Sequence, residues 1–163
     1  MGMFAAGNPG ESTKAELYRE LTGQLRALTN DETDPVANMA NCAALIFYSV
    51  PRLNWAGFYL LKDGELVLGP FQGRPACIRI AIGSGVCGRV AETHTALRVP
   101  DVTNFQGHIA CDSASKSEIV VPILTGDSRL IGVLDVDSPE LDRFDAEDEA
   151  GFKAIAGIMA RKL

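Results

Sequence analysis

Lys62-Asp63-Gly64, set between two runs of strand-like composition, limits the fold of this chain more than any other feature. Asp-Gly accepts the positive φ angles of a tight hairpin turn, whose twist matches that of the flanking strands. Trp55–Leu61 and Glu65–Leu68 are therefore expected to pair antiparallel. A second pair, Ile119–Leu124 and Leu130–Val136, flanks Thr125-Gly126-Asp127 in the same manner. Pro122 cannot donate to a strand ladder, which predicts an edge position or a bulge there. Ile78, Ile80 and Ile82 alternate with Arg79 and Ala81, the pattern of a half-buried strand, and Leu97–Val99 reads as a brief further one.

Helical signals surround these strands. Thr13 followed by Glu16 predicts a capping box, and Leu17, Leu21, Leu25 and Leu28 recur at helical spacing. Asp34-Pro35 starts a second helix whose face is read as Val36, Met39, Ala40, Ala43, Ala44 and Phe47, ending at Pro51. Gly83-Ser84-Gly85 leads into a short helix near Val86–Thr93. Asp145 caps a closing helix, with Glu147, Asp148 and Glu149 at its positive end and Arg161 and Lys162 at its negative end. Pro70–Cys77 reads as loop, and the long stretch from Pro100 to Ser117, which contains Cys111, reads as irregular; a loop as long as the second is usually functional. The order predicts one α+β domain over residues 12–163, with a mainly antiparallel central sheet and helices packed on one side. Residues 1–11, with Gly7, Pro9 and Gly10, read as a flexible arm.

Composition narrows the range of partners. At 163 residues and 47% hydrophobic, the chain can bury a core without cross-links. Its net charge of −6 and the lack of any dense Lys/Arg block argue against nucleic acid or an anionic membrane as partner. There is no apolar run of about 18 residues and no basic segment ahead of Met3-Phe4-Ala5-Ala6, so a cytoplasmic protein is expected. In that compartment Cys42, Cys77, Cys87 and Cys111 should rest as thiols. Cys42 lies within a helical pattern and reads as a small core hydrophobe. The other three stand in Gly-, Pro- or Ser-rich segments between elements, where reactive groups tend to be placed. Three readings compete for them: unreactive thiols, a zinc site from Cys77, Cys87, Cys111 and His108, or redox chemistry between thiols. The zinc reading is weak because no Cys-x-x-Cys pair occurs, and no metal is expected.

The segments around these cysteines resemble the free methionine-(R)-sulfoxide reductases, which are stand-alone GAF domains. The resemblance is carried by Asn54-Trp55-Ala56-Gly57-Phe58-Tyr59, by Gly69 to Cys77 (GPFQGRPAC), by Gly83 to Gly88 (GSGVCG), by Gly107 to Ser115 (GHIACDSAS) and by Leu134 to Pro139 (LDVDSP). It runs from about Leu17 to Phe152. It implies that Cys111 is the nucleophile, that Cys77 is the resolving cysteine and that Cys87 is a second resolving or auxiliary one. It also implies free methionine-(R)-sulfoxide as substrate. No bound cofactor is expected, and thioredoxin, on potential grounds, or another dithiol is expected as external reductant. A homodimer is compatible with it. The alternative is a GAF module that binds a small ligand or senses redox state without turnover.

The residues themselves support such chemistry. A sulfoxide oxygen leaves only when protonated, so the site needs a thiolate and an acid. Asp135 and Asp137 share one face of a strand by period two, and Glu118 stands near the mouth of the partner strand. If the second hairpin pairs as read, the three carboxyls converge, and crowding should keep one of them protonated. The remaining charge would hold a substrate α-ammonium. Trp55 and Tyr59, four apart on a strand, face one side and offer an aromatic wall for a methyl thioether-like group. His108 is expected to shape the loop and stands outside the catalytic set. Backbone N–H groups around Asp112–Ser115 would favour a thiolate if a helix began there, and Lys116 and Arg74 could add to that effect.

Overall fold

The computed structural model describes residues 12–108 and 112–163. Six strands form one sheet in which every pairing is antiparallel: β1 (Trp55–Lys62), β2 (Glu65–Gly73), β3 (Arg79–Ala81), β4 (Leu97–Val99), β5 (Ser117–Leu124) and β6 (Leu130–Ser138). Their spatial order is β3-β2-β1-β6-β5-β4. Asp63 and Gly64 adopt positive φ angles of 51° and 83° between Lys62 and Glu65, as the tight hairpin requires.

Helix α1 (Lys14–Leu28) carries the predicted Thr13/Glu16 capping box, and α2 (Pro35–Ser49) starts at an Asp34 cap with Pro35 in its first turn. With α4 (Ala146–Met159) they cover one face of the sheet. Leu21, Leu25, Met39, Ile46, Phe152 and Ile155 pack there on Phe58, Ile119, Val121, Ile123, Leu134 and Val136. Helix α3 (Gly85–Thr93) lies on the opposite face, where Val86, Cys87 and Val90 join Trp55, Tyr59, Leu66, Val120 and Val133 in a second cluster. Three helices thus pack on one side as expected, and the fourth crosses to the other because its apolar stripe matches the outward residues of the strands.

Several local readings are corrected. Strand β2 does not stop at Leu68 but continues through Pro70 to Gly73, with a register shift against β1 between Gly57 and Tyr59. That bulge absorbs Gly69-Pro70, so proline, lacking an N–H, does not interrupt the pairing. The buried face of α2 is Asn38, Met39, Cys42, Ala43 and Ile46, rotated from the expected stripe, and Val36 is 59% exposed. Of the three alternating isoleucines only Ile80 is buried; β3 is a three-residue edge strand and Ile78 is 70% exposed. Pro122 lies on β5 past the last residue paired with β4, one step from a register shift at Ile123/Leu124, so both of its predicted settings are met in part. Helix α4 ends at Met159, and the Lys162 ammonium donates to the carbonyls of Thr29 and Asn30 at the end of α1, not to its own helix.

Asp148 joins the helical layer. Its carboxylate accepts from Tyr18 Oη at 2.8 Å, Lys14 Nζ at 2.5 Å and Arg143 Nη1 at 3.2 Å. Arg143, whose side chain is 1% exposed, also donates to the Pro51 carbonyl through Nε and Nη2. Removing one partner of such a pair strands the other charge in the core. Asp148→Ala is therefore expected to lower unfolding stability by about 3–5 kcal/mol, read as a shifted urea midpoint with unchanged slope. A loss below about 0.5 kcal/mol, the size typical of surface changes, would remove Asp148 from this role.

Candidate active site

The pairing of β1, β6 and β5 lays out the face under α3. Trp55 stands opposite Asp137, and Asp137 opposite Glu118; one step along, Gly57 stands opposite Asp135, and Asp135 opposite Val120. Tyr59 and Val133 form the next row. The residues expected from period two to share a face therefore do so, and Trp55, Tyr59, Cys87, Glu118, Asp135 and Asp137 all line one cleft. With its open mouth and the solvent space in it, the cleft encloses about 520 Å³.

Its aromatic wall depends on two glycines. The Trp55 ring stacks on Tyr59 (centroids 6.0 Å apart, planes at 24°) and on Phe71 (5.2 Å, 15°). A Cβ on Gly57 would come within 2.8 Å of the indole, and one on Gly73 within 2.6 Å of it. Gly73 also holds φ +130°, a conformation that other residues rarely adopt. The wall in turn fixes the segment after β2: Trp55 Nε1 donates to the Arg74 carbonyl at 3.1 Å and Tyr59 Oη to the Cys77 carbonyl at 2.9 Å. Cys77 is half-buried beside this wall and is disulfide-bonded.

The carboxyls are crowded and short of cations. Glu118 and Asp135 are buried and Asp137 half-buried. Burial pushes all three above the usual carboxylate range, Asp137 and Glu118 further through the nearby Asp135 charge. Hydrogen bonds from Cys87 and Glu118 to Asp135 partly offset its burial and leave it at about 7. Cys87 is the third residue of α3, where the helix N-terminus would favour a thiolate. Complete burial and the adjacent Asp135 and Glu118 charges outweigh it and raise the thiol well above its ordinary value. Cys42, buried in the helical layer, is likewise held as a thiol by burial, as its sequence setting suggested.

Four neighbours of the site lie outside the set of side chains that the sequence placed in it. His108 is not only a loop-shaping residue: its ring lines the cleft, with buried Nδ1 3.9 Å from Glu118 Oε2 and no hydrogen-bond partner among the described residues. Burial lowers its pKa. Asn54 Nδ2 donates to Asp112 Oδ2 at 3.1 Å and to Ser115 Oγ at 2.9 Å, tying the 112–115 turn to the start of β1. His108, Asp112 and Ser115 stood in the same motif as Cys111, and Asn54 directly before Trp55; sequence position was the available signal, but not direction. No helix starts at Asp112–Ser115. The residues form a turn in which the Ala114 and Ser115 N–H groups are already bonded to Asp112, so the expected stabilisation of a thiolate by a helix start fails for the described residues. Lys116 is exposed, and Arg74, 73% exposed, reaches only Asp112, at 3.5 Å. Cys111 and the arm at 1–11 lie outside the described residues.

Residues 37–163 match the GAF domain family. The free methionine-R-sulfoxide reductase of Escherichia coli (strain K12) is 47% identical over 150 residues, covering 92% of this chain and 90% of that protein. The protein of the same name from Saccharomyces cerevisiae (strain ATCC 204508 / S288c) is 40% identical over 153 residues, 90% of this chain and 85% of its own. An X-ray structure of free methionine-R-sulfoxide reductase from Neisseria meningitidis in complex with its substrate has a TM-score of 0.91 at 46% identity, over 98% of this chain and 95% of that one. No helix among the described residues is long and apolar enough to cross a membrane. By identity, coverage and fold, this chain belongs to the free methionine-R-sulfoxide reductases, a family built on the GAF domain.

Proposed function

We propose that this chain reduces free L-methionine-(R)-sulfoxide to methionine through a thiol step at Cys111. The observation that carries this reading is a single cleft holding an aromatic wall and three crowded carboxyls, on a chain close in sequence to proteins named for that activity. Trp55 and Tyr59 take the methyl sulfoxide end, and the ionised fraction of Asp135 and Asp137 holds the α-ammonium. A methionine within a polypeptide has no such ammonium, so the acidic wall favours the free amino acid.

Glu118, kept neutral by burial, donates a proton to the sulfoxide oxygen as the Cys111 thiolate attacks sulfur. Methionine leaves, and the oxygen passes to Cys111 as a sulfenic acid. The Cys77 thiol then displaces water and forms a Cys77–Cys111 disulfide, so that two thiol hydrogens and the sulfoxide oxygen leave as one water. The oxidised state of Cys77 and its position beside the aromatic wall support this role. Cys87, fully buried and protonated, suits an auxiliary part better than first resolution. A dithiol such as thioredoxin, at about −270 mV, returns the pair to thiols.

With dithiothreitol, the purified protein should consume the R epimer and leave the S epimer, and Cys111→Ser should be inactive. Cys77→Ser with thioredoxin should release one methionine per chain and stop. Equal use of both epimers, or an active Cys111→Ser protein, would overturn the assignment. Binding of a small ligand without turnover would instead favour a sensing module.

The pH dependence has a defined sign. Because burial raises Glu118, activity should fall as pH climbs through its folded pKa, and Glu118→Gln should lower kcat/KM by about 10²–10⁴-fold and flatten that limb.

Stability follows the same direction. Asp135 binds its proton more tightly folded than unfolded, so its contribution is complete below about pH 4 and lost as pH rises through about 7. The melting temperature of Asp135→Asn relative to the parent should therefore be higher at pH 8 than at pH 5; a difference independent of pH would refute the shift.

A further inference from the structure

Cys87, Glu118 and Asp135 come from three elements: the third residue of α3, the second of β5 and the sixth of β6. Cys87 Sγ and one oxygen of each carboxyl nevertheless lie within 4.8 Å of one another. Asp135 is hydrogen-bonded to both of the others, so shared protons hold the triad together. One polar atom of this cluster and one beside it have no hydrogen-bond partner among the described residues. Asp135 Oδ1 is buried and unbonded in a residue only 7% exposed, and His108 Nδ1 is buried and unbonded 3.9 Å from Glu118 Oε2. A buried group left in that condition is destabilising unless something fills the gap. All four side chains face the same cleft.

We propose that this cluster binds a divalent cation of the zinc class, through Cys87 Sγ, the Glu118 and Asp135 carboxylates and His108 Nδ1, and that the ion excludes substrate. The donor set is one sulfur, one imidazole nitrogen and two carboxylate oxygens, which suits Zn²⁺ and is unlike the all-oxygen sites of Mg²⁺ and Ca²⁺. In a tetrahedral zinc site the ligand atoms stand roughly 3.5 Å apart, so the triad, within 4.8 Å, has to contract, and the His108 ring, which is not within that distance of all three, has to turn toward it. The cation takes the place of the shared protons, releasing them to solvent, and its two positive charges meet carboxylates that have no Lys or Arg partner among the described residues. Binding therefore tightens as pH rises. The set differs from the cysteine-rich one that sequence spacing suggested: carboxyls replace two of the three cysteines. The ion is an inhibitor, not a participant in the reaction. Only the exclusion of substrate rests on the reading of the cleft as the sulfoxide site; the binding of metal does not.

Cobalt(II) tests this on the full chain, treated with a phosphine reductant that is then removed. One equivalent should bind with a thiolate-to-cobalt charge-transfer absorption in the near ultraviolet, and Zn²⁺ should displace it. The band should survive Cys111→Ser and disappear in Cys87→Ser. Glu118→Gln and His108→Asn should each weaken Zn²⁺ at least tenfold by calorimetry, which keeps the test decisive if Cys87→Ser folds poorly. Absence of the band, its persistence in Cys87→Ser, its loss in Cys111→Ser alone, or unchanged Zn²⁺ affinity in Glu118→Gln would overturn the site. Methionine-(R)-sulfoxide should bleach the cobalt band. A band indifferent to sulfoxide in protein that turns over when metal-free would overturn the exclusion. Failure of metal-free protein to turn over would instead count against the proposed reaction and leave the cobalt result standing.

Discussion

The site depends on the register of three antiparallel strands. On β6, Leu134 and Val136 point into the helical layer while Val133, Asp135 and Asp137 point the other way, under α3. On β5, Ile119, Val121 and Ile123 enter the same helical core and Glu118 faces the cleft. Slipping either strand by one residue would drive carboxyls into the layer of α1, α2 and α4 and expose its aliphatic residues. Burying a large aliphatic side chain is worth about 1.5–3 kcal/mol, and five such residues on these two strands work together against the slip. The apolar face thus enforces a position for the acids that their own solvation would oppose.

The same pairing explains why the aromatic wall needs small neighbours. Gly57 stands directly opposite Asp135, and the Trp55 indole lies across it to reach Tyr59 and Phe71. A side chain at position 57 would both collide with the indole and crowd Phe71. The absence of one Cβ therefore shapes the wall, and through Trp55 Nε1 and Tyr59 Oη it also fixes the segment carrying Arg74 and Cys77. Packing on β1 and placement of a cysteine one strand away share a cause.

Much of this arrangement was legible in the chain itself. The Asp63-Gly64 turn, the Thr13, Asp34 and Asp145 caps and the shared face of Asp135 and Asp137 all follow from local rules, and each has its expected structure. What escaped was set by contacts distant in sequence. The run from Gly69 to Gly73 reads as loop because a bulge that accommodates proline depends on its partner strand. The α2 stripe was misjudged because alanines leave the buried side open until β1 and β2 select it. The direction of His108, and the hold of Asn54 on Asp112 and Ser115, depend on residues up to 61 positions apart. The motif resemblance named the right segments and could not say which way each side chain turned.

Two groups of buried acids differ in how their charge is answered. Asp148 is surrounded by Lys14, Arg143 and Tyr18, and its negative charge is answered inside the fold. Glu118, Asp135 and Asp137 sit as deep or nearly so, yet among the described residues lining their cleft the one Lys or Arg is Arg74, which is mostly exposed and turned to Asp112. A protein selected for stability alone gains nothing from three such groups, since replacing a buried ionisable cluster by apolar residues is often neutral or stabilising. Their retention has a physical rationale if the missing positive charge arrives from outside. A substrate ammonium supplies one such charge and a divalent cation two, so occupancy by one opposes occupancy by the other. Sequence does not distinguish these four acids; the inventory of partners around each separates the one whose charge is answered inside the fold from the three that, on the reading proposed above, receive a ligand.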